Sequence, residues 1–402
     1  MVRAAGSEGA RSEGARKEGA GREGAGREGA GREGGVILSV LVCEDSRVYA
    51  NALRRMLEHD RDISVHAVCA TAEEAISTLP RMEPDLVIMD AELPGMNGLE
   101  AVEEIMSSRP LPVLMLSAHV AGSEKAASAL AAGALDALAK EDLDLSNPGG
   151  AVGTAFRQRV RMLSRTRVIR HPRARLGAGP AGASSGEARP GEARPGEARS
   201  AAILGAAGSA RRAAVIGICA SAGGPQLLMF LLNALPADYP VPILIVQHLS
   251  PGFTEGLARW LDRNVAMPVG VAVPGTRLAQ GAWLAPEGAH LTLTVSGWLV
   301  RDRRAAIQHQ RPSGDVLLSS IALAAGRAGV AVVLTGMGSD GAAGAAAVHR
   351  GGGLAIAQDE QSSAVFGMPE AAMSQGVEVV LSPSAIATCL LKLRHQPLPG
   401  TR

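Results

Sequence analysis

The sequence predicts an α/β protein with two doubly wound domains joined by a flexible linker. Three observations predict it. Short apolar runs alternate with helix-length amphipathic stretches over 36–163. The same alternation resumes over 212–395. Between them lies a literal repeat, GEARPGEARPGEARS, rich in Pro, Gly and charge, which cannot build a core.

A chain of 402 residues suffices for two or three domains. Its residues are 47% hydrophobic but only 2% aromatic, so the cores must be built from Leu, Val, Ile, Met and Ala. A net charge of +1 argues against a chain-wide basic surface for nucleic acid. No run of about 18 apolar residues is present, which predicts no membrane insertion. No apolar signal core follows the N-terminus, so a cytoplasmic protein is expected. Cys43, Cys69, Cys219 and Cys389 are scattered, with no CxxC or metal spacing, and read as buried free thiols.

Taken in order, residues 1–35 form a degenerate Gly-Ala-Arg-Glu repeat and predict a disordered low-complexity tail. The first domain, 36–163, has apolar runs at 36–42, 65–70, 86–89, 113–116 and 134–138, with amphipathic helices expected at 48–57 and 98–107. That order predicts a parallel sheet. Residues 164–211 read as the linker. The second domain, 212–395, has apolar runs at 213–218, 242–246, 330–334 and 354–357. Its middle stretch, 283–301, alternates in the manner of antiparallel strands, so a mostly parallel mixed sheet is expected.

Binding residues of a doubly wound sheet collect beyond the carboxyl ends of its strands. In the first domain these positions hold Glu44 and Asp45, then Asp90, Ser117 and Lys140. Each alone suits an ordinary exposed loop. Together they bring three carboxylates, a hydroxyl and an ammonium to one sheet edge. Clustered carboxylates are hard oxygen ligands for Mg²⁺, and one of them can attack a phosphoryl group. The lysine neutralises phosphoryl charge and the hydroxyl hydrogen-bonds a phosphoryl oxygen.

The segments LVCEDS, PDLVIMDAELPGMNGLEAVE, LMLSAH and AGALDALAK resemble receiver domains over about 36–142. The resemblance implies Asp90 as the phosphorylation site and Mg²⁺ as the cofactor of that reaction. It implies Glu44 and Asp45 as metal-binding partners of Asp90, with Ser117 and Lys140 as the switch hydroxyl and lysine. Two positions depart from the family pattern: Glu141 replaces the proline after the lysine, and Ala137 replaces the usual switch Phe or Tyr.

In the second domain the strand AAVIGIC leads into Ala220-Ser221-Ala222-Gly223-Gly224-Pro225 and then a helix. Small neighbours permit a sharp turn that presents a serine oxygen beside a helix N-terminus. The strand VPILIV ends in Gln247-His248, which places His248 as a general base, with His290, His309, His349 and His395 as rivals. The strand VAVVL ends in Thr335-Gly336-Met337-Gly338-Ser339-Asp340-Gly341, where Asp340 can orient the histidine. The same loop has a second reading. Its G-x-G-x-x-G follows a strand, precedes a helix and has Asp359 or Glu360 roughly 20 residues on, as a dinucleotide site does. That reading leaves Ser221 and His248 without a role.

VIGICASAGGP, VQHLSPGF, WLAPEGAHL, RPSGDVLLSS, LTGMGSDGAAG and AQDEQSSAVFGMPEAA resemble the catalytic domain of chemotaxis protein-glutamate methylesterases, the CheB family, over about 213–391. The resemblance implies Ser221 as nucleophile, His248 as base, Asp340 as its partner and the Met337 amide at the oxyanion position, with no cofactor in this domain. Cys219 replaces the family's usual glycine two residues before the nucleophile. The implied activity is phosphorylation-regulated hydrolysis of glutamyl methyl esters on chemoreceptors, with deamidation of receptor glutamines as a second reaction. A histidine kinase is the implied phosphodonor. The unphosphorylated receiver is expected to cover the active site, and the long linker predicts loose docking, because a long tether lowers effective concentration. The competing expectations are an inactive, phosphorylation-responsive binding protein and a dinucleotide-dependent enzyme.

Overall fold

The computed structural model describes residues 37–118, 128–130, 132–166, 168 and 211–401. The low-complexity tail and nearly all of the linker expected at 164–211 lie outside the described residues.

The apolar runs of the first half become β1 (Leu38–Cys43), β2 (Ile63–Cys69), β3 (Leu86–Asp90), β4 (Val113–Ser117) and β5 (Asp136–Ala139). They pair in parallel in the order β2-β1-β3-β4-β5. β5 starts two residues later than the apolar run, because the Ala134 amide still bonds back to Ala129 O and Gly133 turns at φ +136°. Helices α1 (Arg47–Leu57), α2 (Ala72–Met82) and α3 (Gly98–Ser108) begin on side-chain caps from Ser46, Thr71 and Asn97. α4 (Ala151–Ser164) packs Phe156, Val160 and Leu163 with Val40, Val42, Leu86 and Ile88 of the sheet. Its Arg157 is buried yet fully used, donating to Asp60 Oδ2 at 2.6 Å, Pro148 O at 2.6 Å and Met56 O at 3.2 Å. A buried guanidinium persists only with such partners.

The second half opens with the short β6 (Arg212–Ala213), followed by β7 (Val215–Ala220), α5 (Gly224–Asn233), β8 (Ile243–Gln247) and α6 (Thr254–Asn264). Next come β9 (Val269–Val271), β10 (Ala282–Leu284), β11 (His290–Leu293), β12 (Leu299–Asp302) and α7 (Gly314–Ala325). The chain continues through β13 (Gly329–Val333), α8 (Ala342–Arg350), β14 (Leu354–Gln358), α9 (Gly367–Ser374), β15 (Val379–Leu381), α10 (Pro383–Leu391) and β16 (Arg394–His395). Seven strands form one sheet in the order β15-β14-β13-β7-β8-β10-β9, and every pairing in it is parallel.

The antiparallel character expected at 283–301 is therefore split. Trp283 lies in β10, parallel to both neighbours, whereas β11 and β12 form a separate antiparallel pair. β10 alternates because its middle residue, Trp283, is only half-buried over Gly270. That exposure mimics the in–out pattern of an antiparallel strand. No described helix is long and apolar enough to cross a membrane.

The sheet order has one consequence for function. β7 is flanked by β8 on one side and β13 on the other. The carboxyl ends of these three adjacent strands are where a doubly wound sheet reverses direction and opens a crevice.

Candidate active site and phosphoacceptor site

The first sheet brings Glu44, Asp45 and Asp90 together, each offering a carboxylate oxygen within 4.8 Å of the others. Lys140 Nζ lies 2.7 Å from Asp90 Oδ2 and 2.6 Å from Glu44 Oε2. Burial pushes the Glu44 carboxyl up despite the hydrogen bond from Lys140. Burial also works against charge on Lys140, but its bonds to Asp90 and Glu44 outweigh it and raise the ammonium's pKa. Ser117 closes β4, buried, directly after the Leu116 that pairs with Asp90. Tyr49 was not anticipated: its ring centroid lies 4.7 Å from Lys140 Nζ. A cation over a ring face is held there by the ring's quadrupole. The three-carboxylate donor set, with Asp45 exposed toward solvent, suits a hard divalent cation.

In the second sheet, Ser221 follows β7, His248 follows β8, and Asp340 lies in the loop after β13. Ser221 N donates to Thr335 O at 3.0 Å and His248 N to Ala220 O at 2.9 Å, so backbone bonds fix all three strand ends. Gln247 Nε2 adds a bond to Ser221 O at 2.8 Å. His248 Nε2 lies 2.7 Å from Asp340 Oδ2. Burial pushes the Asp340 carboxyl up, but bonds from His248, Ser313 and the Asp315 amide outweigh it and hold the carboxyl below its ordinary range. An ionised carboxylate only accepts, so Nε2 carries the proton and Nδ1 carries the lone pair. Nδ1 is buried and has no hydrogen-bond partner among the described residues.

Gly336 explains how the β13 loop reaches the serine. A Cβ there would stand 2.7 Å from Ser221 Cβ and 2.3 Å from Met368 Sδ, so only glycine permits this approach. Met337 follows directly, and its amide bonds to no other described group. Cys219 is fully buried, and burial pushes its thiol well up, which leaves it inert rather than nucleophilic. Its side chain lies against Gly314 and Gly341, where a Cβ on either would meet it at 3.3 Å or less. The bulk of Cys219 is therefore absorbed away from the Ser221 turn. Two glycines of the dinucleotide-like loop, Gly336 and Gly341, are thus committed to packing inside the protein.

The two halves touch beside this site. Ser250 Oγ donates to Ala137 O at 2.9 Å, and Gly223 N, two residues after Ser221, donates to Leu135 O at 3.3 Å. Phe253, 1% exposed, joins the apolar cluster of Ala137, Leu130 and Ala134. Ala222 and the partly buried Met337 join that of Leu135 and Leu138. The long linker argues against tight docking, yet the structure does bring the two halves into contact. A tether sets only effective concentration, whereas these contacts come from matched surfaces.

Residues 40–145 match the response regulator receiver domain and residues 216–390 match CheB methylesterase. A protein-glutamate methylesterase/protein-glutamine glutaminase of Paramagnetospirillum magneticum is 39% identical over 358 residues, covering 89% of this chain and 96% of that relative. The chain belongs to the CheB family. A Myxococcus xanthus member with the same description is 35% identical over 361 residues, 87% of this chain and 93% of its own. The CheB methylesterase catalytic domain of Thermotoga maritima is 35% identical, with a TM-score of 0.44, over 45% of this chain and 98% of that domain. CheB membership favours the hydrolase reading of the glycine loop over the dinucleotide one.

Proposed function

We propose that this CheB-family chain is a phosphorylation-regulated serine hydrolase acting on glutamyl methyl esters of chemoreceptors, and on receptor glutamines by deamidation. The observation that carries it is the His248 Nε2–Asp340 Oδ2 bond of 2.7 Å at adjacent strand ends beside Ser221. Asp340 fixes the tautomer and leaves the buried Nδ1 lone pair as the base. Ser221 Oγ attacks the ester carbonyl and gives its proton to His248. The oxyanion forms at the Met337 amide. His248 then protonates the leaving methoxide, and methanol departs from an acyl-enzyme. Water, deprotonated by His248, releases the glutamate carboxylate and restores Ser221. With a glutamine substrate the departing group is ammonia.

In the receiver half, proposed as 36–163, Asp90 accepts a phosphoryl group from a histidine kinase. Glu44, Asp45 and Asp90 would hold Mg²⁺, which supplies positive charge to the transferring phosphoryl. Lys140 already stands on Asp90 Oδ2, and Ser117 is the proposed switch hydroxyl. The catalytic half is proposed as 212–395, with the linker at 164–211, the tail at 1–35 and a cytoplasmic location. The contacts of Leu135 and Ala137 with Gly223 and Ser250 support a receiver that covers the site until Asp90 is phosphorylated.

The test is methanol release from methylated receptor, with and without a small phosphodonor. Wild type should release methanol, faster with the donor, and Ser221→Ala should not. Equal, negligible rates for both proteins would sink the hydrolase reading. Radiolabel retained by Asp90→Ala after incubation with kinase would sink the phosphoacceptor assignment.

A further inference from the structure

We propose that Ser313, Gly314 and Asp315, where the chain enters α7, are positioning residues that hold Asp340 ionised and aimed at His248. The inference rests on the Ser221–His248–Asp340 reading. Ser313 Oγ donates to Asp340 Oδ1 at 2.6 Å, the Gly314 amide to Oδ2 at 2.6 Å, and the Asp315 amide to Oδ1 at 3.1 Å. Both oxygens of the carboxylate are therefore gripped by the start of one helix, and Oδ2 is shared with His248. Unpaired amides at a helix N-terminus stabilise a negative charge, so this grip favours the ionised form.

The grip is returned. Asp315, in the first turn of α7, accepts from the Gly344 amide at 2.9 Å in the first turn of α8, the helix that Asp340 leads into. Each helix start thus holds the carboxylate that belongs to the other. Ser313 is itself fixed from behind: its amide donates to His290 Nδ1 at 3.1 Å, and His290 Nε2 donates to Ala305 O at 3.1 Å. Both nitrogens of this rival histidine are occupied, so it acts on Asp340 only through Ser313.

Gly314 adds the distance control. A Cβ on it would meet Cys219 Sγ at 2.5 Å. The strand carrying Ser221 and the helix start carrying the Asp340 donors are therefore in direct contact, and residues 219 and 314 jointly set their spacing. The titratable groups facing Asp340 are His248 after β8, Asp315 on α7 and the Cys219 thiol on β7.

Removing the Ser313 hydroxyl leaves Asp340 with less compensation for its charge. Asp340 then keeps its proton to higher pH. The test is a kcat, KM and pH profile of methanol release for Ser313→Ala, Ser313→Thr, Gly314→Ala and the double variant Gly314→Ala with Cys219→Ala, beside Asp340→Asn. Ser313→Ala should lose about 10–100-fold in kcat, as expected for one hydrogen bond to a charged group, with KM little changed. Its acid limb of kcat/KM should move to higher pH, and Ser313→Thr should recover most of the loss. Gly314→Ala should be impaired and the double variant should recover part of the loss, since the residue-219 Cβ at 3.0 Å and Gly341 Cα at 3.2 Å still crowd the added methyl. The proposal is overturned by wild-type kcat and an unmoved acid limb in Ser313→Ala. It is also overturned by Ser313→Thr being as impaired as Ser313→Ala. Full activity in Asp340→Asn would instead overturn the triad reading, and this inference with it.

Discussion

His248 faces Asp340 through Nε2, so its tautomer depends on one carboxylate staying ionised. Asp340→Asn keeps the shape but lets the ring adopt the wrong tautomer. It should lower kcat for methanol release by about 10⁴-fold, with folding intact. The same carboxyl is held below its ordinary range in the folded protein. A group with a depressed folded pKa adds stability above its unfolded value, about pH 4, and loses it as the pH falls toward the folded value. Wild type should therefore lose stability more steeply than Asp340→Asn on acidification below about pH 4, measured by denaturant melts at stepped pH. Ser221, His248, Asp90 and Lys140 were legible in the sequence because each follows an apolar run, and strand ends are where a doubly wound sheet gathers its chemistry. Ser313 and Tyr49 were not. One precedes a helix and the other lies in a helix's first turn, and their roles come from partners 27 and 91 positions away.

Among elements, the strands were readable because a parallel strand buried on both faces is a nearly continuous apolar run, as β7, β8, β13 and β14 are. β10 was misread because three residues with one half-buried Trp carry too little pattern to distinguish parallel from antiparallel pairing. The β13 loop carries the sharpest test at this scale. Gly336→Ala places a methyl between Ser221 and Met368, where backbone and side chain must shift. It should cost about 1–3 kcal/mol in a thermal or denaturant melt, the usual penalty for overpacking. Activity should fall further than stability alone accounts for, because the displaced loop carries Met337. An unchanged melting temperature would show that the loop yields freely.

Across the whole molecule, the receiver half meets the catalytic half at the turn that carries Ser221. Ser250→Ala removes the bond to Ala137 O, worth about 1 kcal/mol. It should raise methanol release without phosphodonor roughly fivefold and narrow the response to the donor. An unaltered ratio of stimulated to basal rate would remove this contact from the regulation. The two-domain plan was visible in the sequence through two stretches of βα alternation and the composition break between them, but the face on which the halves meet was not. The Ser250 and Gly223 contacts both end on main-chain carbonyls of the receiver half, which no residue pattern marks.

That choice of atoms has a consequence for inheritance. Ser250 and Gly223 read the carbonyls of Ala137 and Leu135, not their side chains. A lineage can therefore replace the side chain at position 137 without erasing these two bonds. What it cannot alter freely is the path of the peptide through β5. These two bonds register where the backbone of residues 135–137 runs, so they feel a substitution at 137 only if it moves that backbone.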